Sequence, residues 1–162
     1  MIRPEAPGDA EAIDVVHFAA FASVPGNGAA EVNLIRMLRG DLAWIPELSL
    51  VAETEGVIIG HILLTRATID TTPALALGPL GVLPENQRGG VGTALMRAAI
   101  AASHGIIGVL GDPGYYSRFG FVPAAPAGIA VDQPDWSEYF QVRPDASRAT
   151  GVFRYPKPFY EL

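Results

Sequence analysis

"LGPLGVLPENQRGGVGTALMRAAIAA" spans residues 77–102. An apolar run leads to Pro84, then to a glycine-dense turn, then to a helical pattern. Such a turn, opening a helix straight after a strand, suits an anionic ligand. The first-turn N–H groups of a helix have no partner within it and point outward, where the helix dipole also favours negative charge. Three phosphate-binding patterns compete for it. A P-loop requires Gly-x-x-x-x-Gly-Lys-Ser/Thr, but Thr93 and Ala94 follow Gly92 and no lysine is present. A dinucleotide fingerprint requires Gly-x-Gly-x-x-Gly. Gly90 and Gly92 fit it, but the third place is Leu95. The pattern Gln/Arg-x-x-Gly-x-Gly/Ala is met by Gln87, Arg88, Gly89, Gly90, Val91 and Gly92. Side chains at Gly90 and Gly92 would block a pyrophosphate, and Arg88 adds a charged donor. Val91, Leu95, Ala98, Ala99 and Ala102 form the stripe that docks the helix. The competing reading is a plain glycine loop.

Working outward, the 162 residues are expected to form one domain, 1–162, with a substantial core. Apolar residues make up 49% and charged residues 17%, a globular composition. Net charge is −6, which argues against a nucleic-acid surface but leaves room for a local phosphate site. There is no cysteine, hence no disulfide, thiolate metal site or cysteine nucleophile, and no metal is expected. No apolar run reaches the roughly 20 residues of a membrane helix. The first residues, "MIRPEAPGDAEAI", do not read as a signal peptide, so a cytoplasmic location is the default.

Residues 1–4 read as a first strand cut at Pro4. "PGDAEAIDVVHFAAF" is a helix with Asp9 as its cap, broken by "SVPGNG". "AAEVNLIRML" is a second helix ending near Gly40. "LSLVAET" and "VIIGHILLTRATI", joined by Glu55-Gly56, read as a hairpin. A strand at 75–83, the glycine turn, a helix at 90–103 and a short strand "IIGVLG" follow. "PGYYSRFG" is a helical turn, and the Pro-rich remainder holds one or two further strands, "EYFQVR" and "TGVFRY". The order predicts a mixed sheet with helices packed on it.

The second informative stretch is "GDPGYYSRFGF", residues 111–121, which carries Tyr-x-x-x-Gly-Phe from Tyr116 to Phe121. With the glycine turn about 25 residues earlier, it resembles the GNAT superfamily of acetyl-CoA-dependent N-acetyltransferases. In particular it is similar to a bacterial branch with "GPLxVxPExQ" and "GDxxYYxxFGF". The resemblance implies an α/β (α+β) fold: a mostly antiparallel sheet of 6–7 strands, splayed between the fourth and fifth, flanked by about four helices. It implies acetyl-CoA as co-substrate, lying in the splay, with its pantetheine arm along Leu80, Gly81 and Val82. Gln87, Arg88, Gly89, Gly90, Val91, Gly92 and Thr93 would bind the pyrophosphate. A bulge would fall at Leu80–Val82, the Val82 N–H would polarise the thioester carbonyl, and Tyr116 would protonate the leaving thiolate. Phe119 would pack along the cofactor.

Each role has a plainer competitor. Only one of the adjacent Tyr115 and Tyr116 needs to face the thioester, and Phe119 and Phe121 are also natural core residues. Asp112 reads as a cap, Arg118 as solvent-facing or else turned to the CoA 3′-phosphate, Glu85 as a loop tie and Glu53 as a surface carboxylate. The general base is not evident: His17, His61 and His104 are scattered, with His61 in a strand from which it could face the cleft. The acceptor, a small-molecule or peptide amine, is expected to meet residues 22–34 and the acidic, aromatic "DQPDWSEYF", with Asp132, Asp135, Glu138, Trp136, Tyr139 and Phe140, unless that segment is a solvated loop with a packed tryptophan. A homodimer is compatible with this reading; nucleic-acid and membrane partners are not expected. The alternatives are an acyl-CoA-binding sensor without turnover and a nucleotide-binding protein.

Overall fold

A computed structural model describes residues 1–161. Nine strands share one sheet: β1 (Ile2–Pro4), β2 (Trp44–Thr54), β3 (Val57–Ile69), β4 (Thr72–Val82), β5 (Ile107–Leu110), β6 (Val122–Pro123), β7 (Ile129–Val131), β8 (Phe140–Arg143) and β9 (Gly151–Arg154). The helices are α1 (Ala10–Phe21), α2 (Asn27–Arg39), α3 (Val91–Ala102) and the single turn α4 (Pro113–Tyr116). The main path runs β1-β2-β3-β4-β5-β8-β6, while β9 joins the end of β3 and carries β7. Pairing is antiparallel except at β4–β5 and β7–β9. The seven-strand path matches the expected sheet. Strand β9 is the expected "TGVFRY" run, whereas β6 and β7, two and three residues long in the Pro-rich tail, are too short to show a period.

The sheet is covered on both faces, which is why β2 and β3 read as almost continuous apolar runs. Strand alternation divides them. Leu50, Ala52, Ile62 and Leu64 face α3, where Leu95, Met96 and Ala99 are buried. Val51, Ile58 and Leu63 face α1 and α2, against Ile13, Val16, Leu34, Ile35 and Leu38. A third cluster around Phe140, Phe153 and Tyr155 closes the far end of the sheet.

The β2–β3 turn is the expected two-residue hairpin. Glu55 and Gly56 both have positive φ, 51° and 79°, the geometry of a primed turn. Asp9 does sit at the start of α1, but its carboxylate does not cap the helix. It accepts instead from Ala6 N–H and from Arg3, both at 2.7 Å.

One irregularity decides where a ligand can enter. Leu64 pairs with Leu77 and Ile62 with Leu80, so β4 holds one extra residue around Gly78-Pro79. The bulge therefore precedes the expected Leu80–Val82. Before it, Leu75 N–H donates to Ile106 O on the β5 side. After it, Leu83 N–H donates to Ile59 O on the β3 side. The slip of one residue thus turns the Leu80 and Val82 peptides toward the edge away from β3. That edge is bare: β5 pairs with β4 only at Leu75, Ala76 and Leu77, and then the two strands part.

Candidate active site

Two cavities meet where β4 and β5 separate, sharing Phe21 and Leu80. The first, of about 590 Å³, lies at the mouth of α3 and is lined by Gly81, Val82, Gln87, Arg88, Gly90, Gly92, Thr93, Tyr115 and Arg118. The second, of about 380 Å³, lies in the splay itself and is walled by Leu77, Gly78, Pro79, Val109, Leu110 and Tyr116, with Glu31, Leu34, Trp136, Tyr155 and Phe159.

The first cavity is built from main chain. The first intrahelical bond of α3 runs from Ala94 N–H to Gly90 O, 3.0 Å. Among the described residues none accepts from the backbone N–H groups of Arg88 through Thr93. Gly90 holds φ at 88°, and a Cβ there would meet nothing within 4 Å, so the space above it is open. Arg88 also turns left-handed, φ 67°, which sharpens the turn. Gln87 ties the turn to the strand, its Nε2 donating to Val82 O at 3.0 Å. That is the tie expected of Glu85, which is exposed and unbonded among the described residues. Gly89 is exposed, and Val91 turns its side chain into the core, leaving only its amide toward the cavity.

Tyr115 and Tyr116 take different sides. Their rings lie edge to face, centroids 5.0 Å apart. Tyr115 leans over Gly92, and Arg118 lies over its ring at 5.0 Å. Arg118 is exposed, as expected, and it also lines the cavity at the mouth of α3. Tyr116 faces the splay, and burial pushes its phenol up to about 12. Phe119 and Phe121 are core residues; Phe119 packs on Tyr115 and lines neither cavity. Asp112 caps the turn, accepting from Gly114 N–H at 2.9 Å.

The scattered histidines are not scattered in space. His17 Nε2 and His61 Nδ1 lie 2.8 Å apart, His61 Nε2 meets Ser49 Oγ at 2.8 Å, and Ser49 donates to Glu5, which also pairs with Arg39. The Glu5 carboxylate can only accept, so the tautomers follow. Ser49 accepts from His61 Nε2–H, and His61 Nδ1 accepts from His17 Nε2–H. The bare His17 Nδ1 is then left buried and, among the described residues, without a partner, behind Gly81. Both rings are fully buried, and burial lowers His17 to about 3 and His61 well below its ordinary value. His61 thus backs the strand and does not face the cleft. His104 is exposed at the far end of α3.

Glu53 pairs with Arg3 at 3.3 Å. In the acidic segment Asp135 and Glu138 are exposed and Asp132 accepts from Tyr160 Oη, 2.7 Å; only Trp136 reaches the splay. The acid that reaches the splay is Glu31, whose carboxyl burial pushes up. Sequence reading placed residues 22–34 near the acceptor without singling out Glu31. Tyr155 and Phe159, from the tail, carried no motif.

A family model described as acetyltransferase (GNAT) domain matches residues 46–123. The N-acetyltransferase YhbS of Escherichia coli K12 is 30% identical over 98% of both chains. The chain belongs to the GNAT acetyltransferase family. A second GNAT relative, the N-acetyltransferase YjhQ of Escherichia coli K12, is 42% identical over 59% of this chain, spanning 57% of YjhQ. Two solved GNAT structures share the whole fold. YhbS from Escherichia coli in complex with CoA superimposes with a TM-score of 0.85 at 28% identity, covering 99% of this chain and 91% of that one. A GNAT acetyltransferase from Brucella melitensis in complex with acetyl-CoA gives 0.79 at 34% identity, covering 98% and 97%. Among the described residues no cluster of His, Cys, Asp or Glu could hold a metal ion, and no helix is long and apolar enough to cross a membrane.

Proposed function

We propose that this GNAT acetyltransferase moves an acetyl group from acetyl-CoA to a primary amine of a small molecule or protein, by direct attack in a ternary complex, as a single cytoplasmic catalytic domain. The observation that carries the reading is the bare β4 edge beside six unpaired main-chain amides, Arg88 through Thr93. The fit to CoA is chemical: a cluster of N–H donors for a diphosphate, then two strand peptides for an amide-bearing arm, then an apolar cavity for the thioester.

An amine that arrives as a cation first gives one proton to solvent. The neutral nitrogen then bonds to the acetyl carbon, the carbon–sulfur bond breaks, and the second N–H proton lost is balanced by the proton gained on sulfur. The Val82 N–H donates to the carbonyl oxygen as charge gathers there. Tyr116 donates a hydrogen bond to the departing sulfur. With its phenol near 12 it remains protonated through neutral pH. Full proton transfer to a thiolate of ordinary basicity, about 8.5, would run uphill, so the phenol stabilises the sulfur until the amine's proton arrives. Glu31 is the group in the splay suited to receive that proton.

Isothermal titration with acetyl-CoA, followed by free-thiol release over an amine panel, tests the reading. Binding plus release is expected. Binding without release from any amine would favour an acyl-CoA sensor.

A further inference from the structure

The cavity in the splay has an unusual balance of polar groups. Among the described residues, no lysine, arginine or histidine lines it. Its one acid, Glu31, is half-buried and forms neither an ion pair nor a hydrogen bond with any described residue. Three aromatic walls, Phe21, Trp136 and Phe159, come from three separate segments. Trp136 is held rigid by stacking on Tyr160, centroids 5.4 Å apart and planes within 14°. Tyr155 lines the same space, and its hydroxyl is buried with no partner among the described residues.

We propose that the acceptor is a small amine carried on an apolar, ring-sized body without a carboxylate, its nitrogen facing Glu31 and its body lying against Phe21, Trp136 and Phe159. The assignment rests on the transferase reading above and names the substrate class of that site. A cationic amine supplies the partner that Glu31 lacks, and aromatic faces add attraction for it. A carboxylate on the substrate would enter a partly desolvated space with no cation to meet it and Glu31 to repel it, the costliest arrangement for a charge. A polyamine would bring a second cation into the cavity with no second carboxylate, among the described residues, to pair with it. The volume, about 380 Å³, sits near the low end for ligand pockets and is shared with the thioester, which suits a small body and not a folded surface.

The test compares three amines with acetyl-CoA: 2-phenylethylamine, phenylalanine (the same body with a carboxylate added) and spermidine. Free-thiol release should give 2-phenylethylamine a kcat/KM about a hundredfold or more above the other two. Calorimetry on the protein saturated with CoA should detect 2-phenylethylamine and neither competitor. Glu31→Gln should raise KM for 2-phenylethylamine about tenfold or more, shrink the disadvantage of phenylalanine, and leave CoA affinity unchanged. Equal use of phenylalanine, preference for spermidine, no calorimetric binding of 2-phenylethylamine, or an unchanged KM in Glu31→Gln would overturn the acceptor assignment while the transfer reading stands. Failure of the wild-type protein to bind acetyl-CoA would remove the transferase reading and this assignment with it.

Discussion

The two cavities on either side of Leu80 are made differently. The one at the mouth of α3 is main chain: amides of Arg88–Thr93 brought together by six consecutive residues and two left-handed turns. The one in the splay is side chain, assembled from α1, α2, β4, β5, α4 and three places in the tail. A backbone device is local and tolerates little variation, whereas a side-chain cavity can be rebuilt residue by residue around a common floor. The first therefore suits a ligand shared across a family and the second one that differs between members.

Substitutions should separate the two. The largest effect is expected from Gly90→Glu. Space above Gly90 is open, so the fold should survive with about 1–2 kcal/mol of backbone strain. A carboxylate among the amides proposed to hold the diphosphate should weaken CoA binding about a hundredfold or more by calorimetry, while 2-phenylethylamine no longer has a formed complex to join. Normal CoA affinity in that variant would place the diphosphate elsewhere. Next is Tyr116→Phe, on the other side of the divide. The expected loss is about tenfold to a hundredfold in kcat with acetyl-CoA affinity nearly intact, measured by thiol release at saturation. Unchanged kcat would remove Tyr116 from the chemistry.

What could be read from the sequence follows the same division. The glycine turn and the β4 strand were legible because Gln87, Arg88, Gly90 and Gly92 form a contiguous pattern with a backbone meaning. The hairpin at Glu55-Gly56 was legible for the same reason. The splay was legible only through resemblance, since nothing in "IIGVL" announces that β5 leaves β4 after Val109. The bulge at Gly78-Pro79 was misplaced because the slip shows only against the partner strand, between Ile62 and Leu64. Glu31, Tyr155 and Phe159 were not singled out because their meaning comes from one another and not from neighbours in the chain. The pairing of His17 with His61, 44 residues apart, was hidden likewise.

That buried pair makes a third, smaller prediction. The unfolded chain takes protons on histidine below about pH 6.5, whereas folded His17 resists them down to about 3. Stability is therefore held above pH 6.5 and lost as pH falls toward 3. The loss is up to about 1.4 kcal/mol per pH unit for each histidine. Urea midpoints at pH 7, 6 and 5 should fall steadily, and a flat series would contradict the enclosure of the pair. Gly81→Ala presses on the same place, since a Cβ there would lie 2.7 Å from His17 Nδ1. The cost should be about 1–3 kcal/mol, with a loss of activity through the displaced Val82 peptide. Smallest is Gln87→Ala, which frees the turn from Val82 O. CoA affinity should fall a few-fold and the acceptor KM should not change.

The direct measurement is an amide chemical-shift titration of the ¹⁵N-labelled protein with CoA. Large shifts are predicted at Arg88–Thr93 and at Leu80 and Val82, with little change in the β2–β3 hairpin. Saturable binding that leaves those amides unmoved and shifts another surface would contradict the account.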